Sequence, residues 1–467
     1  MAKSSHLREI NSSTVLINKG NLGVSKTDEL LRKLMGNLIE RHHQYVHLPK
    51  ASFVPTQSSV PCAGRVYDAQ DMKSLGEAAL DFWLTGGRFE KMFEKELNAF
   101  LGTRFCALTN SGSSANLLAV SSLTSPLLKE RRLKPGDEVL TVAAGFPTTI
   151  APIIQNGMVP VMVDIELGTY NANVDQLEQA VSSRTKAIIL AHTLGNPFNL
   201  HRIKLLAQKH GLWLIEDCCD ALGSLYQGQC VGTWGDIATF SFYPAHHITM
   251  GEGGAVVTNN AVLHKSITSF RDWGRDCYCD TGKDNTCGKR FAWQLGDLPQ
   301  GYDHKYIYSH LGYNLKLTDM QASVGLSQMK KLKSFIQARR NNWQYLWSHL
   351  KDLEEYFILP RPEEFSDPSW FGFILAVRPQ APFTRPEIVS YLEERKIATR
   401  MLFAGNITKQ PGFQGSNRRL PFELNNTDFI MTNVFWVGVY PGLTHEMLGY
   451  VVQEIKNFIK QRTCSLS

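Results

Sequence analysis

Two kinds of hydrophobic pattern divide this chain. Between about residues 80 and 260, short apolar runs rich in branched side chains recur: FCALT from Phe105, EVLTVAA from Glu138, MVPVMVDI from Met158, KAIILAH from Lys186, LWLIED from Leu212 and IATFSFY from Ile237. Runs this short that are apolar on both faces read as strands buried in a sheet. Segments with helical spacing lie between them, such as SANLLAVSSL after Ser113 and VDQLEQAVS after Asn173. Alternation of this kind predicts an α/β fold: a mostly parallel sheet with helices on both faces. Ligands of such sheets sit at the carboxyl ends of the strands.

Outside that core the pattern changes. Leu30, Leu31, Leu34, Met35, Leu38 and Ile39 recur at helical spacing and predict one amphipathic helix from Thr27 to about His47. Pro49 to Cys62 lacks period and reads as a linker. Asp272 to Tyr308, rich in Gly, Asp, Cys and aromatics, is too long for an idle connection and is expected to be functional. A long helical region follows from Thr318 to Leu353. Strands are expected near Phe371–Val377 and Phe429–Val437, and a final helix over His445–Gln461. The expected organisation is an N-terminal helical segment with linker (1–65), a large cofactor-binding domain (66–325) with a cysteine-rich insertion (272–308), and a small α+β C-terminal domain (326–467).

Composition narrows the function. With 467 residues, 43% hydrophobic and 20% charged, the chain is an ordinary globular mixture able to bury a large core. The net charge of +6 suits a small anionic ligand, and the dense Lys/Arg stripe of a nucleic-acid binder is missing. No apolar run reaches the roughly 18 residues a membrane span needs, so no membrane insertion is expected. The polar start MAKSSHLREINSS does not resemble a secretory signal, which makes the cytoplasm the expected compartment. There, nine cysteines are better explained as reduced, catalytic or metal-bound than as disulfides.

Four local features fall on loops expected to line one site. Asn110–Ala115 is a turn of small residues between a strand and a helix, where free amides and the helix dipole can cradle a phosphate, although a plain helix cap looks the same. Asp217 ends the run LWLIED; a carboxylate there can pair with a protonated pyridine nitrogen, or simply cap the strand end. Phe146 follows the strand ending near Ala143 and can stack on a ring or join the core. The fourth is the run from Ser241 through Tyr243, His246, His247 and Gly251-Glu252-Gly253-Gly254.

This last run resembles the DegT/DnrJ/EryC1/StrS sugar aminotransferases, in which a serine, a lysine five residues later and a Gly-Glu-Gly-Gly turn mark the lysine that carries vitamin B6 as a Schiff base. The likeness extends over Leu80–Phe89, Ser111–Asn116, Glu216–Gly223 and Gly312–Leu315, nearly the whole chain from about Val60. It implies the aspartate-aminotransferase-like fold of the pyridoxal-phosphate enzymes of fold type I. It also implies phosphate contacts from Gly112, Ser113 and Ser241, ring contacts from Asp217 and Phe146, and a sugar site near Tyr243 and Phe371. Asn314 is implied to reach the phosphate of a neighbouring subunit, hence a homodimer. This sequence departs from the family at the lysine: His246 occupies that position, and no lysine lies between Lys209 and Lys265. Imidazole cannot hold a stable imine but moves protons near neutral pH. Pyridoxamine phosphate bound without a covalent tether is therefore expected, with His246 as base and His247 the adjacent alternative.

Cys219, Cys277, Cys279 and Cys287 are spaced C-x57-C-x-C-x7-C. Four thiolates suit a 2Fe–2S cluster; zinc also takes four, more often from C-x(2–4)-C pairs. The spacing resembles the branch of the family that dehydrates C3 of CDP-4-keto-6-deoxy-D-glucose. That branch implies a CDP-sugar substrate, a separate NADH-dependent flavin/iron–sulfur reductase supplying two electrons, and a 3,6-dideoxy-4-ketosugar for surface polysaccharide (O-antigen). Two readings compete: a cluster-free dehydratase of the same fold that takes its amine from glutamate, and a non-catalytic sugar-binding protein on the same scaffold.

Overall fold

A computed structural model describes residues 24–48, 52–277, 279, 284–286 and 288–464. Its centre is a seven-stranded sheet. The strands are β1 (Phe105–Thr109), β2 (Glu138–Val142), β3 (Val159–Val163), β4 (Thr185–Ala191), β5 (Trp213–Asp217), β6 (Ile237–Ser241) and β7 (Gly254–Thr258). In space they run β1-β7-β6-β5-β4-β2-β3. All neighbours are parallel except β7, which is antiparallel to both β1 and β6. The mostly parallel sheet expected from the sequence is present, and six of its strands coincide with the six apolar runs.

β7 was not among those runs. Its sequence, GAVVT, follows directly on the glycine turn, and the two glycines before it mask the strand signal. Gly254 is required by packing: a Cβ there would lie 2.4 Å from the carbonyl oxygen of Ser111. At the opposite edge, Pro160 sits in β3, where its missing N–H costs no ladder bond. Arg419 closes that edge, donating its amide to the Pro160 carbonyl and accepting from the Met162 amide, both at 3.0 Å.

A second, three-stranded sheet joins Phe357–Ile358, Gly372–Val377 and Val434–Gly438, all antiparallel. Helices Leu332–Leu350, Arg385–Glu394 and His445–Cys464 cover it and share one apolar core with it. The helical region expected over Thr318–Leu353 is present as two helices, Asp319–Met329 and Leu332–Leu350, broken at Lys330–Lys331. One expectation for this region needs correction. The strand expected over Phe429–Val437 begins only at Val434, because Asn425–Asn433 is a helix. Its start is held from a distance: Asp164 accepts the Asn426 amide at 2.8 Å and the Thr427 amide at 2.7 Å. A cap supplied by a residue some 260 positions away leaves no trace in a local window.

The N-terminal helix spans Val24–His42 and continues as a wider turn through His47. Met35 and Ile39 pack on Gly76 of the helix Ala69–Asp81, and Arg32 bonds Glu77 at 2.6 Å. Leu31, Leu34 and Leu38 of the expected apolar stripe stay exposed, Leu38 at 67%.

The helix Arg88–Leu101 opens against another distant carboxylate. Asp319, buried, accepts the amides of Gly87 at 3.0 Å, Phe89 at 3.2 Å and Glu90 at 2.8 Å. Replacing Asp319 with Ala strands three donors at a helix start. It should lower stability by about 3 kcal/mol, given roughly 1–3 kcal/mol for each buried donor left without a partner and partial relief by water. Urea unfolding measures this; a loss below about 0.5 kcal/mol would show that the cap is dispensable.

Candidate functional site

The carboxyl ends of β4, β5 and β6 open into a cleft of about 730 Å³ between the two sheets. This volume lies within the range of small-ligand sites. One wall carries Gly112, Ser113, Phe146, Asp217, Cys219 and Ser241; the other carries Phe371, Arg400 and Trp436 from the second sheet and its loops.

At the cleft floor, the helix Gly112–Ser122 begins with Ser111 as cap, its hydroxyl accepting the Ser114 amide at 3.1 Å. Its first amides have no partner inside the helix and form an anion-binding end. Gly112 is required there, because a Cβ would lie 2.4 Å from Cβ of Ser241 and 3.0 Å from Sγ of Cys219. Phosphate can therefore meet backbone N–H groups and the Ser241 hydroxyl at one point.

Asp217 closes β5 with both oxygens occupied. Oδ2 accepts from Asn116 Nδ2 at 2.8 Å and Thr149 Oγ1 at 2.7 Å, and Oδ1 accepts the Cys219 amide at 3.1 Å. These three donors fix the carboxylate at the cleft wall, where it can pair with a protonated ring nitrogen. Phe146 stands 49% exposed at the cleft edge, its ring edge-on to Phe403 at 6.3 Å. An exposed aromatic face on a ligand cavity is available for stacking.

The two adjacent histidines diverge. His246 lines the cleft, its ring 5.3 Å from that of Phe371 and its Nδ1 3.3 Å from Oδ1 of Asp220. The His246 and Asp220 atoms are within ion-pair range but not aligned as a hydrogen bond. His247 points away, buried, with Nε2 2.8 Å from the Ser369 carbonyl oxygen; burial, then Arg339, push its pKa well below the ordinary value. His247 is thus a neutral structural residue facing away from the cleft. Among the described residues that line the cleft there is no lysine. Tyr243, half exposed, and Phe371 flank His246.

The remaining candidates scatter. Asn314 is absent from this cleft; its Oδ1 accepts from Lys316 Nζ at 2.7 Å and its backbone bridges Asp272. Cys219 lines the cleft, whereas Cys277 and Cys279 line a separate hollow of about 870 Å³ with Trp83, Glu90, Arg271 and Asp272. Cys287 lies outside the described residues. Burial, then Asp217, raise the pKa of the Cys219 thiol well above its usual value. The close group of potential ligands among the described residues is His192, Glu216 and Cys218, with donor atoms within 4.8 Å. Glu216 is already saturated, accepting the amides of Gly232, Trp234 and Gly235 at 2.7–2.8 Å, so this group is structural.

The matching family model, the DegT/DnrJ/EryC1/StrS aminotransferase family, covers residues 66–456. The chain belongs to this family. It is 56% identical over 428 residues to "Lipopolysaccharide biosynthesis protein RfbH" of Salmonella typhimurium, spanning 92% of this chain and 98% of the relative. It is 54% identical over 408 residues to a dTDP-4-dehydro-2,6-dideoxy-D-glucose 3-dehydratase of Saccharopolyspora spinosa, 87% of this chain and 88% of that one. Among solved structures, the Escherichia coli GDP-4-keto-6-deoxy-D-mannose-3-dehydratase with bound hydrated PLP superposes with a TM-score of 0.77 at 27% identity, covering 85% and 98% of the two chains. The expected aminotransferase-like fold is thereby established. No helix among the described residues is long and apolar enough to cross a membrane.

Sequence reading overlooked Asn116 and Thr149 around Asp217, Asp220 beside His246, and Arg400 and Trp436 across the cleft. Asp220 stood within a quoted motif without a role; Arg400 and Trp436 come from the far sheet, and nothing local marks them. Replacing Gly112 with Ala should cost about 1–3 kcal/mol, the usual range for overpacking a tight contact. The loss would appear as a lower unfolding midpoint with Ser241 displaced in a crystal structure; an unchanged midpoint would refute the close packing described here.

Proposed function

We propose that this protein is a nucleotide-ketosugar 3-dehydrase that holds pyridoxamine phosphate without a covalent tether and uses His246 as its base. The observation that carries this reading is a cleft with a phosphate cradle, a buried carboxylate and an exposed aromatic, lined by His246 and by no lysine. The relatives named as sugar 3-dehydratases support the reaction class.

Residue roles follow from position. Gly112, Ser113 and Ser241 hold the phosphate, Phe146 covers the ring and Asp217 keeps its nitrogen protonated. When bound, pyridoxamine phosphate supplies an amine for the C4 ketone and a ring that accepts electrons. Asp220 stands 3.3 Å from Nδ1 of His246, and Nε2 takes a proton from the cofactor's C4′ carbon as the C3 hydroxyl departs. Tyr243 and Phe371 flank the sugar and exclude water. Asn314, remote from its own cleft, suits contact with a second subunit's phosphate, which supports a homodimer.

CDP as the nucleotide, the 2Fe–2S cluster and the NADH-dependent flavin/iron–sulfur reductase belong to the same proposal and rest on the resemblance to the CDP-sugar branch of the family, whose C-x57-C-x-C-x7-C spacing this chain shares. Surface-polysaccharide synthesis in the cytoplasm rests on the likeness to the lipopolysaccharide protein. The likeness to GDP-4-keto-6-deoxymannose-3-dehydratase, solved with a trapped PLP-glutamate geminal diamine, supports a second reading, a cluster-free dehydratase that draws its amine from glutamate. Iron analysis and visible spectra of anaerobically purified protein separate the two.

Replacing His246 with Asn should lower C3 dehydration by at least about 100-fold, the usual share of a general base, with pyridoxamine phosphate affinity unchanged. Turnover close to wild type in that variant would dispose of the assigned base, and a cofactor trapped on lysine by borohydride would point to ordinary amino-group transfer. Replacing Asp217 with Asn should weaken pyridoxamine phosphate about 10- to 100-fold, as expected for a lost charge-assisted bond of roughly 1.5–3 kcal/mol. Fluorescence titration measures this; equal affinity would exclude the proposed ring contact.

A further inference from the structure

Helix Leu332–Leu350 carries Arg339 on the face that also buries Phe335, Ile336 and Trp343. Its side chain is 1% exposed, among the largest fully buried groups in the protein. The guanidinium joins two loops. Nη2 donates to the His246 carbonyl at 3.0 Å and the Ala245 carbonyl at 3.5 Å; Nη1 donates to the Trp370 carbonyl at 3.2 Å and the Phe371 carbonyl at 3.5 Å. Nε is buried with no hydrogen-bond partner, and the cation lies 5.7 Å from the centre of the Phe371 ring. Among the described residues no carboxylate pairs with it directly; Asp220 is the acid whose charge supports it, against a burial that lowers its pKa to about 10.

A buried cation without an ion-pair partner is an expensive way to tie down carbonyls. Its location explains its presence. It grips the backbone of His246 itself, it stands in the field of the carboxylate beside His246 Nδ1, and its second arm fixes Phe371, whose ring touches His246. We infer that Arg339 is the positioning residue of the His246 base: it fixes the backbone from which the imidazole projects, so that Nδ1 is held toward Oδ1 of Asp220 and Nε2 faces the cleft. The neighbouring Arg340 provides a natural comparison. It also bonds loop carbonyls, those of Pro368 and Asp367 at 3.1 Å, but does not reach His246.

This inference rests on His246 being the base of the proposed dehydration, so its test includes a readout that needs no substrate. Nitrogen-15 spectra of histidine-labelled protein, with the His246 signal assigned by its loss in H246N, report which ring nitrogen holds the proton. Wild type and Arg339→Lys should show His246 protonated at Nδ1; Arg339→Met should show mixed tautomers, and Arg340→Met should match wild type. In turnover of a nucleotide ketosugar, R339M should lose about 10- to 100-fold in kcat with KM within about twofold, the cost of a misaimed group rather than of lost binding. R339K should fall between R339M and wild type, because it keeps the charge but reaches only one loop. Should R339M fail to fold, R339K carries the test, and wild-type kcat there would overturn the inference. An unchanged tautomer and kcat in R339M, or equal losses in R340M, would overturn it too. A wild-type protein inactive on every nucleotide ketosugar would remove the dehydrase reading while leaving the tautomer result to decide Arg339.

Discussion

Loops that must approach a ligand leave backbone amides without strand or helix partners, and in this protein buried carboxylates take them up. Glu216 is the clearest case. Fully buried, it gathers three amides of the turn Gly232–Gly235 and lies 3.2 Å from His192 Nε2. That turn feeds β6, whose last residue, Ser241, borders the phosphate end of the cleft. Asp164 and Asp319 do the same for the starts of two helices. An unsatisfied buried amide costs about as much as a lost hydrogen bond with its desolvation, so these acids decide which loop conformations are available.

Strand geometry then divides labour between neighbours. Successive residues of a strand point to opposite faces, so Glu216 turns into the scaffold and Asp217 toward the cleft. Both are acidic, buried and bonded to several donors, yet only Asp217 borders a cavity that can hold a ligand. Residue type could not separate the two roles; alternation along β5 does.

The sheet was legible because its strands are fully buried and so spell uninterrupted apolar runs. β7 was not, because Gly254, needed for close approach to Ser111, opens the strand. The cleft residues that sit at strand ends or in helix starts, Gly112, Asp217, Ser241 and His246, could be found from local motifs. Asp220 and Arg339 could not be assigned, since their significance comes from what they face: Arg339 looks like any helix arginine until its flanking Phe335, Ile336 and Trp343 are seen to be buried. For the cysteines, spacing in sequence says which thiols share a pattern but not what each faces: Cys219 lines the cleft, and Cys277 and Cys279 line the hollow beside Trp83.

A histidine in the cleft gains meaning from what surrounds it. The resemblance to sugar aminotransferases places a lysine at this position, and the phosphate cradle, Asp217 and Phe146 would serve either side chain. Lysine acts through its terminal amine at the end of a long flexible stem and needs little orientation beyond reach. Imidazole is short, planar and has two unlike nitrogens, so its use as a base depends on which one is protonated and where the other points. Replacing lysine by histidine therefore raises the demand on the supporting structure. The features that meet this demand are Asp220 beside Nδ1 and Arg339 gripping the His246 carbonyl, with Phe371 fixed against the ring. On the proposed reading, the change of chemistry lies as much in these three neighbours as in the histidine itself.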